Sequence, residues 1–281
     1  MKIGRKFSDV LTHPVGYILL WIVSFGLILL IGKFLSGNID SIRQDSLHTL
    51  ILHISAILSL LPAIVLIVSG YRISHISAYS SRMMLITLIP AIILFILTII
   101  AVRTFPASLP LVVTNGLFLL IISFLLGELL SREVTHPGHL LPVALILVLV
   151  DFWSVFRGPS KHVAESARQF AESGGYAQDT APPLITFLLL NFPQISTDKI
   201  YSFMGIGDLI IIAFFIGCIH KFNFPLKRSY ASLIIGPVLA VLAANLIGQS
   251  IPALPVIAVL FVAVNIGHMK LGKSQKLSPS E

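Results

Sequence analysis

Residues 140–156 read LLPVALILVLVDFWSVF, an apolar run that contains one acidic residue, Asp151. A second run, residues 203–221, reads FMGIGDLIIIAFFIGCIHK and carries Asp208 near its start. Runs of this length and polarity are typical of helices that cross a membrane, because lipid offers the backbone no hydrogen-bond partner. A charged side chain deep in a bilayer costs about 2.5–3.5 kcal/mol on insertion scales. Two such residues on neighbouring spans therefore indicate a functional role.

The composition of the whole chain also indicates a membrane protein. Its 281 residues are 56% hydrophobic and 11% charged, and the mean hydropathy is +0.96. A soluble domain of this size cannot cover so much apolar surface, whereas a bilayer can. The formal charge is +7, but the Lys and Arg residues lie in short segments between apolar runs. This distribution is typical of membrane topology, and we predict no nucleic-acid partner.

Eight stretches approach the length of about 20 mostly apolar residues that a spanning helix requires. We therefore predict an all-α fold, a polytopic transmembrane helical bundle of about eight spans. Residues 1–135 hold four of these spans, and residues 136–281 hold the rest together with a long extramembrane segment, 157–202. The predicted spans are 15–32, 50–70, 83–102, 109–130, 140–156, 203–221, 229–249 and 253–269.

The distribution of Lys and Arg predicts the orientation of the spans. When the N-terminus is placed inside, more of these residues fall in the inner connections than in the outer ones. The positive-inside rule then places both termini in the cytoplasm and the segment 157–202 outside. We predict an integral multi-pass membrane protein, which lies in the inner (plasma) membrane if the source is prokaryotic.

The two intramembrane acids are predicted to lie at matching depths. Asp151 is six residues before Arg157, and Asp208 is eight residues after Ile200. At 1.5 Å per residue, both lie roughly 9–12 Å from the outer side. Because the two spans are consecutive and antiparallel, the carboxyls are expected to face each other. Two close carboxyls in a low-dielectric site share one proton, which suits peptide hydrolysis, although ion coupling fits two such acids equally well.

Two short motifs accompany these acids. Asp208 closes the sequence Gly205-Ile206-Gly207-Asp208, in which the glycines would let another backbone approach closely. The last predicted span opens with Pro252-Ala253-Leu254-Pro255, whose prolines remove two backbone donors. Each motif alone is common in membrane helices, where glycine packing faces and prolines at helix starts are frequent.

The order of these features resembles that of the presenilin and signal peptide peptidase family. The family has an Asp in one span, GxGD in the next and PAL at the start of the last, and the resemblance covers about residues 140–269. The segment Asp151-Phe152-Trp153-Ser154-Val155-Phe156 also looks like the Asp-centred aromatic segment of signal peptide peptidases. The resemblance implies that Asp151 and Asp208 are the catalytic pair. It also implies that the active site is shaped by Gly205, Gly207, Pro252, Ala253 and Leu254.

Further expectations follow from this resemblance. The fold would be a presenilin-like protease core, the activity that of a GxGD-type aspartic endopeptidase, and no metal or organic cofactor would be needed. The partner would be a transmembrane peptide, a membrane protein or a signal peptide, held as an extended strand before cleavage. The predicted orientation is that of signal peptide peptidases, which favours substrates whose N-terminus is inside. This chain departs from the family at Val150, where the family has Tyr, and in having eight predicted spans instead of nine.

Two other functions fit the same residues. A proton-coupled transporter would use the two acids for ion coupling, although such proteins often carry internal repeats and this chain shows none. A non-catalytic relative would bind membrane helices without turnover.

Zinc and serine intramembrane proteases are disfavoured, since the chain has no HExxH and no GxSxG motif. His136 and His139 are interpreted as part of a turn, and the oligomeric state is not predicted. The residues predicted to hydrogen-bond between helices are Asn115, Asn245, Gln249 and Asn265.

Overall fold

The computed structural model describes residue 23 and residues 80–105, 108–173, 182–193, 200–247 and 252–270. The predicted span 50–70, and 15–32 apart from Val23, lie outside the described residues. The described elements are α1 (Ser81–Thr104), α2 (Leu109–Glu133), α3 (Leu140–Arg157), α4 (Pro159–Glu172), β1 (Leu189–Pro193), β2 (Ile200–Gly205), α5 (Ile206–Lys221), α6 (Leu226–Ile247) and α7 (Ala253–Lys270), with short 3-10 helices at Pro137–His139 and Leu184–Leu188.

The described part of the chain is mostly helical, as the sequence predicts. Six of the eight predicted spans coincide with the helices α1, α2, α3, α5, α6 and α7. Among the described residues, four helices are long and apolar enough to cross a membrane. They are Ser81–Thr104, Pro110–Glu133, Pro137–Arg157 and Leu226–Ala244, while Ala253–Met269 is apolar but shorter. The number of about eight spans stays a prediction.

The helix α1 illustrates why these segments suit a bilayer. It is apolar on all sides, so that one face can pack on protein while the other remains apolar. Met84, Leu88 and Phe95 are buried, whereas Ile86 and Ile89 are at least 60% exposed. An apolar helix with a wide exposed apolar face is stable in lipid, whereas in water such a face would promote aggregation.

The structure departs from the all-α expectation in residues 184–205. The strands β1 and β2 pair in an antiparallel two-stranded sheet, with Leu189 opposite Gly205 and Pro193 opposite Ile200. β2 runs directly into α5, so the predicted span 203–221 becomes helical only at Ile206. β1 and the first half of β2 fall in the segment 157–202, which the sequence predicts to be extramembrane. Phe187, Leu190 and Met204 of this region are buried.

Buried amides anchor this region to the helices. The Asn115 side chain on α2 donates to the backbone oxygen of Phe187 at 3.4 Å and accepts from the Thr98 hydroxyl on α1 at 3.4 Å. Asn191 donates to the backbone oxygen of Thr186 at 3.2 Å. The prediction that Asn115 bonds between helices is confirmed. That for Asn265 is also confirmed, because on α7 it accepts from the Ser229 hydroxyl of α6 at 2.9 Å. The side chains of Asn245 and Gln249 lie outside what the structure describes.

The helices that carry the two acids have different main neighbours. α3 packs mainly against α7 and, at its end, against α4. α5 packs most extensively against α2, and it also reaches α7, where the rings of Phe215 and Phe261 stack with centroids 4.2 Å apart. α3 and α5 thus have different main packing partners, α7 and α2 respectively.

Contacts between chain segments show which helix ends share a side. The Lys221 ammonium at the end of α5 donates to the backbone oxygens of Ser131 and Arg132 at the end of α2. Gly138, before α3, lies beside Met269 at the end of α7. The end of α3 and the starts of α5 and α7 therefore lie on the opposite side. This arrangement agrees with the predicted alternation of the connections and puts Asp151, Asp208 and Pro252 at one end.

Candidate active site

Asp151 lies on the face of α3 that packs against α7. The backbone N–H of Leu254, in the first turn of α7, donates a hydrogen bond to its carboxyl. Its neighbours in sequence lie on the opposite face, where Val150 is 58% exposed and Trp153 62%. The position at which the family has Tyr is thus on the exposed surface of α3, while the acid is turned into the protein.

One oxygen of Asp151 has no partner. Its Oδ2 is the single buried side-chain nitrogen or oxygen that makes no hydrogen bond within the described part of the chain. A buried polar atom without a partner costs free energy, and such atoms are rare in folded proteins. An unpartnered carboxyl oxygen beside a second acid is a chemical feature that packing alone does not explain.

Asp208 lies in the first turn of α5. β2 ends at Gly205, whose backbone N–H donates to Asp208 Oδ2 at 3.1 Å. An acid at the third helical position commonly caps the helix in this way, and the partial positive charge of the helix start favours a carboxylate there. The structure thus places Asp208 at a strand-to-helix junction and not in the middle of a span.

Asp151 and Asp208, which the sequence predicts to be the functional pair, lie in the same region of the molecule. Asp151 lies close enough to Asp208 for the two carboxyls to interact electrostatically. Because Leu254 bonds to Asp151 and Gly205 bonds to Asp208, the Asp-containing span, the GxGD segment and the PAL segment meet at one place. Pro252 and Leu254 are buried and Ala253 is half-buried at the start of α7.

The glycines of the GxGD segment differ from their expected role. A Cβ built on Gly205 would meet Asp208 Oδ2 at 3.5 Å, which is ordinary contact, and none of the described atoms lies within 4 Å of one built on Gly207. The predicted close approach of another backbone therefore does not involve the described residues. Gly207 instead leaves an open surface next to Asp208.

Sequence reasoning missed the glycines that are closely packed. A Cβ built on Gly127, Gly217 or Gly236 would lie under 3.0 Å from atoms of a neighbouring helix. Each lies in an apolar run, and the signal available was a small residue in a membrane helix. Glycine is too common in such helices for this signal to identify them without the packing.

The ionisable groups described at the site are the carboxyls of Asp151 and Asp208. Within the residues described, no three His, Cys, Asp or Glu residues cluster so that they could bind a metal ion. His136, which the sequence indicates to be part of a turn, accepts a hydrogen bond from the Gly138 N–H at 3.0 Å, as expected there. Two adjacent carboxyls, each held by a backbone N–H, can share, accept and donate a proton.

Comparison of this chain with known protein families, with curated proteins and with solved structures found no match. The family resemblance therefore rests on the motifs of this chain and on the order in which they occur.

Proposed function

We propose that this chain is an intramembrane aspartyl protease of the presenilin and signal peptide peptidase type. Asp151 and Asp208 would hydrolyse a peptide bond within a transmembrane segment. The observation that carries the proposal is the proximity of the two carboxyls to each other and to the start of α7, where the Leu254 N–H bonds to Asp151.

In this mechanism the pair of acids holds one proton between the two carboxyls. The ionised carboxyl takes a proton from water while the protonated one donates a hydrogen bond to the scissile carbonyl oxygen. The hydroxide forms a bond to the carbonyl carbon. The tetrahedral intermediate then collapses, a proton moves to the amide nitrogen and the C–N bond breaks. The products are a carboxyl group and an amine. We assign the unpartnered Oδ2 of Asp151 to the contact with water.

The substrate we propose is a transmembrane segment that unwinds near the site. A peptide bond inside a helix is shielded by its own turn, and an unwound segment in lipid must find new backbone partners. The open surface at Gly207 and the strand β2 directly before Asp208 support binding of an extended backbone here. With both termini in the cytoplasm, the preferred substrates would have their N-terminus inside.

The proposed architecture is a presenilin-like core within a bundle of about eight spans. The core would comprise α3, α5, α6 and α7, preceded by four spans in residues 1–135. Its support is the agreement between six predicted spans and the described helices, and the position of both acids at one end of the bundle.

Substitution of either acid tests the proposal. The purified chain is assayed for cleavage of a reporter transmembrane peptide, for peptide binding and for ion flux in liposomes. We expect Asp151→Ala and Asp208→Ala each to lower cleavage by about 10³-fold or more, since an acid–base group contributes about 10²–10⁴-fold. Glu133→Ala, at an exposed acid away from the site, is the matched control.

The same assay separates the alternatives. Ion flux without cleavage would identify a transporter, and peptide binding without cleavage by the parent would identify a non-catalytic relative. Cleavage that survives both single substitutions would contradict the protease proposal.

A further inference from the structure

The contact between α2 and α5 contains two glycines that face the opposite helix. We call it the α2–α5 seam, defined by Gly127 and Ser131 of α2 and by Gly217 and Lys221 of α5. In the described part of the chain, no two helices share a more extensive contact than these. α5 carries Asp208 in its first turn, so the seam supports the helix from which this acid projects.

Gly127 packs against the backbone of α5 directly below Asp208. A Cβ built on Gly127 would lie 2.5 Å from the Ile210 oxygen, 2.5 Å from Ala213 Cβ and 2.7 Å from the Phe214 nitrogen. Real Cβ atoms essentially never come this close to other atoms, and two of these three atoms belong to the backbone. Even a methyl group at position 127 must therefore displace the turn that follows Asp208.

Gly217 makes the reciprocal contact two turns further along α5. A Cβ built there would overlap the Ser131 hydroxyl and would lie 2.6 Å from Ser131 Cβ and 2.8 Å from Glu128 Oε2. At the end of the seam, Lys221 donates to the Ser131 oxygen at 3.2 Å and to the Arg132 oxygen at 2.6 Å. These carbonyls end α2 and lack partners within the helix. α5 is thus held against α2 at three heights.

Asp151 is held by a different set of contacts. α3 packs on α7, and the Leu254 N–H bonds to the Asp151 carboxyl. In the described residues, α3 and α5 have no packing comparable to that of either α3 with α7 or α5 with α2. α2 is therefore the main packing partner of the helix that carries Asp208, whereas α7 is the main partner of the helix that carries Asp151.

We propose that Gly127 and Gly217 are positioning residues that set the height and distance at which Asp208 meets Asp151. Their lack of a side chain lets α5 sit close to α2, and Lys221 prevents α5 from sliding along it. The consequence for catalysis rests on the proposed function. The effect of the two glycines on the distance between positions 151 and 208 is independent of the proposed function, because this distance can be measured without any activity.

Cross-linking measures this distance without any reference to activity. The full chain, in membranes and with its single cysteine removed by Cys218→Ala, receives Asp151→Cys and Asp208→Cys. A short bifunctional thiol reagent then reports whether the two positions meet. A second pair, Asp151→Cys with Leu254→Cys, reports the α3–α7 contact as a reference. We expect Gly127→Ala and Gly217→Ala to lower the yield at 151–208 and to leave the yield at 151–254 unchanged.

Two further variants make the comparison specific. Gly267→Ala adds the same methyl group to α7, where no described atom lies within 4 Å, and it should leave both yields unchanged. Gly217→Ala combined with Ser131→Gly removes the side chain that the new methyl group meets, so it should restore cross-linking at 151–208. The Glu128 carboxylate is the end of a flexible side chain and can move aside.

In the active chain, Gly127→Ala should lower the rate of reporter cleavage, since a misplacement of about 1 Å can cost about 100-fold. Unchanged cross-linking at 151–208 in folded Gly127→Ala and Gly217→Ala chains would overturn the inference, as would failure of Ser131→Gly to restore it. If the Gly127→Ala chain does not accumulate, the inference is tested by cross-linking at 151–208 in Gly217→Ala with and without Ser131→Gly. A parent chain that cross-links as expected but cleaves nothing would contradict the proposed function and not this inference.

Discussion

Backbone N–H groups at two chain junctions hold the carboxyls of the candidate site. Gly205 donates to Asp208 where a strand becomes a helix, and Leu254 donates to Asp151 where α7 begins. Hydrogen bonds to an ionised group contribute about 1.5–3 kcal/mol, roughly twice the value of neutral ones. Because the donors belong to the backbone, side-chain substitutions do not remove them, and the acids keep their positions as long as both junctions persist.

Gly207 allows a test of the open surface beside Asp208. Because no described atom would touch a Cβ at this position, Gly207→Ala should not lower the free energy of unfolding. If the substrate backbone lies there, the new methyl group should displace it and lower cleavage by about 10- to 100-fold. Thermal unfolding in detergent and reporter cleavage are measured together. Gly267→Ala, equally open, should change neither, and full activity of Gly207→Ala would contradict the proposed substrate position.

At the scale of elements, the sheet and the 3-10 helix Leu184–Leu188 form a unit anchored to α1 and α2. Asn115 is 1% exposed and is the side chain that links Thr98 to the Phe187 backbone. β2 leads directly into α5. The attachment of the unit to α1 and α2 therefore also affects the position of Asp208 at the start of α5. The two-stranded sheet depends on such contacts, since an isolated pair of strands is only marginally stable on its own.

Replacement of Asn115 tests this anchor. Asn115→Leu keeps the approximate volume but leaves the Phe187 oxygen and the Thr98 hydroxyl without this partner. We expect a loss of about 1–3 kcal/mol in the free energy of unfolding, as for other buried polar groups that lose a partner. Thr87→Val is the control, because the exposed Thr87 hydroxyl bonds only within its own helix, to Met83. Equal stability of the two variants would show that Asn115 does not anchor the unit.

At the scale of the whole molecule, the described helix ends lie alternately on two sides, and one side carries both acids. Lys221, Lys227 and Arg228 lie on the side away from the acids, next to the end of α2. The excess of basic residues on this side predicts that it faces the cytoplasm. The candidate site then lies near the outer face, beside α4 and the sheet.

Thiol labelling of single cysteines tests this orientation. In the Cys218→Ala chain, His162→Cys on α4 and Lys227→Cys at the start of α6 place thiols at exposed positions on opposite sides. A membrane-impermeant maleimide added to intact cells should label position 162 at once and position 227 only after permeabilisation. The reverse pattern would indicate the orientation of presenilins and would exclude the predicted preference for substrates with an inside N-terminus.

The sequence alone was sufficient to predict most of the secondary structure of the described region. Six apolar runs became helices within a few residues of their predicted ends, because membrane insertion depends on apolar length, which is a local property. It also identified Asp151, Asp208 and Leu254 as neighbours. That prediction relied on a family resemblance in the order of three motifs and not on composition.

Only the tertiary structure decided how these groups meet. The sheet before α5 could not be predicted, since an apolar stretch such as 203–205 fits a helix in lipid equally well until neighbouring protein supplies its partners. Nor could the roles of Gly127 and Gly217 be predicted, because whether a glycine is required depends on how close the atoms of the opposite helix lie to it. Local apolar length thus determined which segments are helices. Contacts between residues distant in the chain determined that α3 packs mainly on α7 and α5 mainly on α2, and that the Leu254 N–H reaches Asp151.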